Sequence, residues 1–289
     1  MNIDDYLDRA EDLIGKGEFD TAIKDLTGII AQDPGNLSAY AMRGELYREQ
    51  GNYDKAIGDL DKAIELAPDA ALAYVSRGEI HLEQEDCAKA IKDFDKAIEL
   101  DPGSAIAWIS RGEAYLMEER YDLAIKDFGK AIKLDPAASA AYISRGEAYI
   151  ETDQYDLAIK DLNEAIKLDR ENESAYIYFS RGEAYFEMEK YDLAIKDFDE
   201  AIRLEPDVSL AYISRGAVHA ELEKYDLAIG DFNEALRLDP ESPLAYAGRG
   251  EAYGHLGKKE LAIEDLEKAL KLDPGLEWVE AGLREIRGN

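Results

Sequence analysis

The chain has 289 residues, of which 46% are hydrophobic, and a formal net charge of −30 from 64 acidic and 34 basic residues. Because such a surface repels phosphate groups, we expect neither nucleic acid nor an anionic membrane as a partner. Cys87 is the only cysteine, which excludes an intramolecular disulfide and a multi-cysteine metal site. The N-terminus is acidic and has no apolar leader, and no apolar run is long enough to span a bilayer, so we expect a cytoplasmic protein.

Seven glycines recur at intervals of 34 residues, except for one interval of 36: Gly44, Gly78, Gly112, Gly146, Gly182, Gly216 and Gly250. This period predicts an array of helix pairs, each of which buries its apolar face only against its neighbours. We number the unit so that its glycine is position 8. The eight repeats are then residues 3–36, 37–70, 71–104, 105–138, 139–172, 175–208, 209–242 and 243–276.

Each unit predicts two helices, A and B. Position 4 is always aromatic, and positions 4, 8 and 11 share one face of helix A. Position 20 is always alanine, position 24 is leucine or phenylalanine and position 27 is mostly alanine, which gives helix B a similar stripe. Proline at position 32 ends helix B in seven repeats, whereas the fifth repeat has Arg170 there. After the last repeat, residues 277–289 predict an amphipathic capping helix.

With an aromatic residue at 4, Gly at 8, Tyr at 11, Ala at 20 and 27, Phe or Leu at 24 and Pro at 32, the unit resembles the tetratricopeptide repeat. The resemblance covers nearly the whole chain. It implies an all-α, right-handed superhelical solenoid of eight antiparallel helix pairs with a C-terminal capping helix, forming one domain over residues 1–289. Helices A would line the concave face, which implies a scaffold for protein–protein interaction rather than an enzyme.

Arginine at position 7 and aspartate at position 23 occur in all eight repeats, as in Arg111 and Asp127. Because arginines beside apolar core positions need carboxylate partners, we predict a ladder of ion pairs between adjacent helices. The pattern leaves open whether these pairs form within or between repeats.

In the resembling family, the concave groove is built mainly from positions 2, 5, 9, 12 and 13. Here position 5 is apolar throughout, position 12 adds further apolar residues, and positions 9 and 13 are rich in glutamate. We therefore predict an acidic groove with an apolar stripe that binds a basic, partly apolar peptide or protein segment. A solvated, solubilising face is the alternative interpretation. The candidate site residues are Glu79, Glu83, Ile109, Glu113, Leu116, Ile143, Glu147, Glu151, Tyr176, Phe179, Glu183, Phe186, Glu187 and Ile213.

The 36-residue interval indicates a two-residue insertion, which we place at 173–174 because the sixth helix A then keeps its phase. Tyr176 falls at position 2, near Phe179 and Phe186. This aromatic cluster predicts a local binding hot spot, with ordinary packing around a longer loop as the alternative.

Catalytic signals are weak in this sequence. His81 and His219 occupy position 11 and are expected in the core, and no nucleotide-binding loop or nucleophile motif occurs. We therefore predict no catalytic residue, no metal and no cofactor. Two alternatives to a peptide-binding scaffold remain: a self-associating structural or assembly protein, hence a homo-oligomer, and an accessory subunit of an enzyme complex.

Overall fold

The computed structural model describes residues 3–168 and 174–288, which form seventeen α-helices and no β-strand. Odd-numbered helices up to α15 are helices A, even-numbered helices are helices B, and α17 follows the last repeat. The helices are α1 (Ile3–Gly15), α2 (Phe19–Gln32), α3 (Leu37–Glu49), α4 (Tyr53–Leu66), α5 (Ala71–Glu83), α6 (Cys87–Leu100), α7 (Ala105–Met117), α8 (Tyr121–Leu134), α9 (Ser139–Ile150), α10 (Tyr155–Leu168), α11 (Ala175–Glu187), α12 (Tyr191–Leu204), α13 (Ser209–Glu221), α14 (Tyr225–Leu238), α15 (Pro243–His255), α16 (Lys259–Leu272) and α17 (Glu277–Arg287).

The predicted all-α fold of eight helix pairs and a capping helix is confirmed by this element order. Arg170 and Glu173, on which the predicted insertion partly rests, lie outside the described residues. The chain divides into two compact units, unit 1 (residues 1–148) and unit 2 (residues 149–289). A single domain over residues 1–289 therefore stays a prediction.

Each helix pair packs through small residues opposite large ones. The alanine at position 20 is fully buried in every repeat, and the ring of Phe128 at position 24 is fully buried in unit 1. A Cβ on Gly112 would lie 2.6 Å from Cε1 of Phe128, a distance that no real contact allows. Glycine at position 8 is therefore required so that the ring of helix B can lie against the backbone of helix A.

The turn between helices A and B places position 15 in the left-handed region in all eight repeats. Three repeats have glycine there, for example Gly51 with φ of 69°, but five have an acidic residue, for example Glu119 with φ of 56°. A residue with a Cβ is strained in this conformation, so five of the turns carry a local cost.

The predicted ion-pair ladder is confirmed, and six of its arginines have two kinds of partner. In α7, Nε and Nη2 of Arg111 donate to the carboxylate of Asp127 in the same repeat, at 2.6 and 3.0 Å. Its Nη1 donates at 2.6 Å to Asp95, which belongs to the preceding repeat. The rings of Trp108 and Tyr115 flank the guanidinium, with its Cζ 4.9 and 5.7 Å from their centroids.

The same arrangement recurs in both units, with an aspartate, threonine or asparagine as the acceptor in the preceding repeat. The arginines that make it are Arg43, Arg77, Arg181, Arg215 and Arg249. The ladder therefore forms both within and between repeats.

Helix α17 closes the C-terminal end of unit 2. Val279 is fully buried and Leu283 is nearly so, and both pack against Leu266 and Ala269 of the last repeat. Arg287 of α17 also forms an ion pair with Glu267. The described part of the tail thus covers an apolar face that the last repeat would otherwise leave open to water.

Candidate binding groove

In unit 1, part of the predicted acidic groove is neutralised by an arginine of the chain itself. Nη1 of Arg48 in α3 donates to Glu79 at 2.6 Å, and its Nε donates to Glu83 at 2.7 Å. The guanidinium also lies 3.4 Å from Glu45. Arg48 occupies position 12, where other repeats have apolar or small residues. This basic residue is visible in the sequence, but the predicted acidic groove did not take it into account.

Glu113 is the next glutamate of this row in unit 1, and none of the residues that the structure describes forms an ion pair with it. Its side chain is half-buried. Burial, followed by the charges of Glu79 and Glu147, raises the pKa of Glu113 above its usual value. The predicted apolar residues Ile109, Leu116 and Ile143 are also half-buried in this unit, so each keeps part of its side chain exposed.

In unit 2, several predicted residues line one cavity of about 460 Å³. Its acidic wall contains Glu151, Glu183 and Glu187, and its apolar wall includes Phe186 and Ile213. The remaining lining residues are Ile150, Asp153, Tyr155, Phe198, Leu210, Ser214, Ala217 and Leu244. The volume falls within the range of about 300–1,000 Å³ that is typical of ligand sites.

The surroundings of Glu183 disfavour the ionised form of its carboxyl group. Burial first, and then the neighbouring carboxylates of Glu187 and Glu151, raise the pKa of Glu183 to about 7. In the described part of the chain, no lysine, arginine or histidine forms an ion pair with this carboxylate. The cavity therefore combines an apolar wall with a carboxylate group that a bound cation would stabilise in its charged form.

The predicted aromatic cluster is divided between two places in unit 2. Tyr176 and Phe179 line a separate apolar pocket of about 120 Å³ with Val208 and Leu210. The ring of Phe179 also packs against Phe198, with centroids 5.8 Å apart. Phe186 lines the larger cavity, and Phe179 and Phe186 both pack against the buried cluster that contains Phe198. A binding hot spot at these aromatic residues stays a prediction.

Among the residues that the structure describes, no group of three or more His, Cys, Asp or Glu side chains is arranged to hold a metal ion. Across the same residues, no helix has both the length and the apolar character required to cross a bilayer. His81 and His219 pack beside Asp93 and Asp231, as expected for core residues at position 11.

Comparison with known protein families agrees with this geometry. A family model described as tetratricopeptide repeat matches residues 7–71, 75–130 and 179–243. A second model with the same description matches residues 243–276, and a model described as TPR repeat matches residues 146–188. The chain belongs to the tetratricopeptide repeat family. Members of this family generally mediate protein–protein interactions and are typically not catalysts.

Solved structures of tetratricopeptide repeat proteins are similar to the chain in fold. The Cut9–Hcn1 hetero-tetramer of the APC/C matches with a TM-score of 0.70 and 22% identity, over 97% of this chain and 55% of that one. A repeat protein from Parabacteroides merdae matches with a TM-score of 0.67 and 18% identity, over 87% and 99%. YrrB, described as having an unusual peptide-binding site, matches with a TM-score of 0.53 and 24% identity, over 65% and 96%.

At these identities the solved structures show the fold alone. The chain spans only 55% of the length of its match in the Cut9–Hcn1 structure. No curated protein sequence matches it.

This tetratricopeptide repeat protein also has an exposed apolar row that the sequence analysis missed. Position 2 carries Leu72 and Ile106 in unit 1, which are 70% and 54% exposed. In unit 2 the same position carries Leu210 and Leu244, both of which line the cavity at Glu183. Position 2 was among the groove positions of the family, but only Tyr176 was singled out from it.

Proposed function

We propose that unit 2 holds a basic, partly apolar segment of a partner protein in the cavity at Glu183. The observation that carries the proposal is the lining of this cavity, in which four carboxylates lie beside apolar side chains that are at least partly exposed. An apolar partner side chain would bury surface against Phe186, Ile213 and Leu244, at about 25 cal/mol per Å² of apolar surface removed from water. A neighbouring lysine or arginine would offset the repulsion among the carboxylates.

The acidic surface supports the same proposal through long-range attraction. The net charge of −30 favours encounter with a cationic segment, and salt would screen this attraction. Unit 1 supports the proposal less strongly, because Arg48 already neutralises Glu79 and Glu83 there.

Fluorescence anisotropy with the full chain and labelled peptides tests the proposal. One peptide alternates lysine or arginine with leucine, and a second has glutamate in place of each basic residue. We expect only the basic peptide to bind, and we expect its Kd to rise by about tenfold or more between about 50 and 500 mM sodium chloride. Binding that ignores salt, or a preference for the acidic peptide, would contradict the proposal.

A charge-matched pair of variants locates the site. Glu183→Gln/Glu187→Gln should weaken the basic peptide about tenfold, because both carboxylates line the cavity. Asp192→Asn/Asp226→Asn replaces the same number of carboxyl groups in exposed first turns of α12 and α14, so the affinity should stay within about twofold. If the two double variants weaken binding equally, the cavity at Glu183 is not the binding site. Light scattering at the same protein concentrations tests the alternative prediction of self-association.

A further inference from the structure

We infer that Glu183 and Glu187 form a subsite for an arginine side chain of the partner segment, which they bind from two directions as Glu79 and Glu83 bind Arg48. The inference rests on the proposed function, because it names the residue that the bound segment inserts into the cavity.

The chain itself shows how two glutamates of one helix A accept a guanidinium. Glu79 and Glu83 lie one turn apart on α5, at positions 9 and 13. They accept from two different nitrogens of Arg48, at 2.6 and 2.7 Å. Distances this short are typical of charge-assisted hydrogen bonds, and the separation of the two donors suits the planar guanidinium fork. A lysine ammonium is a compact charge without such a fork.

Glu183 and Glu187 occupy the same two positions on α11, in unit 2. The position that Arg48 holds in the second repeat is held in the fifth by Ile150, which lines the cavity together with both glutamates. Among the residues that the structure describes, the acidic pair therefore recurs without a guanidinium bound to it, beside an apolar wall against which the methylene groups of an arginine can pack. Glu151 and Asp153 add two further carboxylates to the same cavity.

The apolar wall also indicates what accompanies the arginine. Ile213 and Leu244 border the cavity from α13 and α15, one and two repeats beyond the glutamates of α11. A segment that places arginine between Glu183 and Glu187 would place an adjacent apolar residue against these side chains. The occupant to which the geometry points is thus an arginine followed or preceded by an apolar residue, in an otherwise extended segment of a partner protein.

Three peptides that differ at one central residue test this subsite with the full chain. The central residue is arginine, lysine or the neutral isostere citrulline, flanked by leucine. We expect the arginine peptide to bind about fivefold to tenfold more tightly than the lysine peptide, and more tightly still than the citrulline peptide. Glu183→Gln/Glu187→Gln should remove the preference for arginine over lysine, whereas Asp192→Asn/Asp226→Asn should keep it.

Exchanging the residues at position 12 gives a second, independent test. Ile150→Arg would place a guanidinium beside Glu183 and Glu187, as Arg48 lies beside Glu79 and Glu83, and should weaken the arginine peptide at least about tenfold. Arg48→Ile should release Glu79 and Glu83 and raise the calorimetric stoichiometry of the arginine peptide. Because the two variants change different repeats, misfolding of one leaves the other informative.

The outcomes separate the subsite from the proposed function. If basic peptides bind but arginine and lysine bind equally and Ile150→Arg has no effect, the subsite is refuted and the proposed function stands. If none of the basic peptides binds, the proposed function fails and the subsite fails with it.

Discussion

Replacing Arg111 with leucine should destabilise the protein by about 3–5 kcal/mol, because it leaves a buried charge without its partner. Asp127 is only 2% exposed and accepts two hydrogen bonds from Arg111. Removing one partner of a buried ion pair lowers the free energy of unfolding by about 3–5 kcal/mol, because the other charge stays buried without compensation. The bond to Asp95 adds less than about 1 kcal/mol, because that carboxylate is 54% exposed and largely solvated.

Urea unfolding followed by far-UV circular dichroism at neutral pH measures this loss. Repeat arrays can unfold in parts, so hydrogen exchange in α7 and α8 should accompany the urea curve. Arg120→Leu is the control, because Arg120 is 48% exposed and pairs with Glu118 at the surface, and it should cost less than about 1 kcal/mol. The double variant Arg111→Leu/Asp127→Leu should recover much of the loss. An Arg111→Leu curve that coincides with wild type would refute the structural role of the ladder.

Four further predictions concern a turn, a helix contact, a helix interior and the cavity. Glu119→Gly should raise the free energy of unfolding by about 0.5–1 kcal/mol, since it relieves a φ of 56°, and an unchanged urea midpoint would contradict this. Gly112→Ala should lose about 1–3 kcal/mol because its Cβ would meet the buried ring at 2.6 Å. Gly58 lies at an exposed position inside α4, where an added Cβ would contact no other part of the protein within 4 Å, so Gly58→Ala should instead gain about 0.5–1 kcal/mol in the same assay. The carboxyl group of Glu183 has a pKa of about 7 when folded, against an ordinary value of 4.5, so wild-type stability should fall as the pH rises between these values. Glu183→Gln should therefore be more stable than wild type above pH 7 by roughly 1–3 kcal/mol, and urea melts at several pH values should show this advantage disappearing below about pH 4.

The repeat positions predicted the fold well because helix stacking restricts the size of the residue at each contact position in the same way in every repeat. Alanine occupies position 20 in all eight repeats and glycine occupies position 8 in seven, with Ala10 in the first, so many copies report the same close contact between helix A and helix B. The Arg111–Asp127 pair was predictable for the same reason, since both members recur at constant spacing. The left-handed conformation of position 15 was not predicted, because the usual sequence signal for it is glycine. Five repeats have an acidic residue there instead, such as Glu119, which adopts this conformation with backbone strain.

The groove was predicted less completely because its properties depend on how neighbouring repeats differ. Arg48 departs from the apolar pattern of position 12. It pairs with Glu79 and Glu83 because its side chain is long enough to extend from α3 to α5, the next helix A. Position 9 is glutamate in both Glu79 and Glu183, but among the described residues an arginine forms an ion pair with Glu79 and none does so with Glu183. A position-by-position pattern assigns both residues to one class, whereas an arginine pairs with Glu79 and the carboxylates of Glu187 and Glu151 lie near Glu183.

The paired partners of each ladder arginine bear on how such a chain can change in length. Within each unit, a ladder arginine pairs with an aspartate of its own repeat. It also donates a hydrogen bond to a residue of the preceding repeat, which is an aspartate for Arg77, a threonine for Arg43 and an asparagine for Arg249. The aspartate partner that does not vary lies in the same repeat as its arginine. The partner in the preceding repeat can be any of three residue types. A whole 34-residue unit can therefore be gained or lost by duplication or deletion without stranding a buried charge at the new junction.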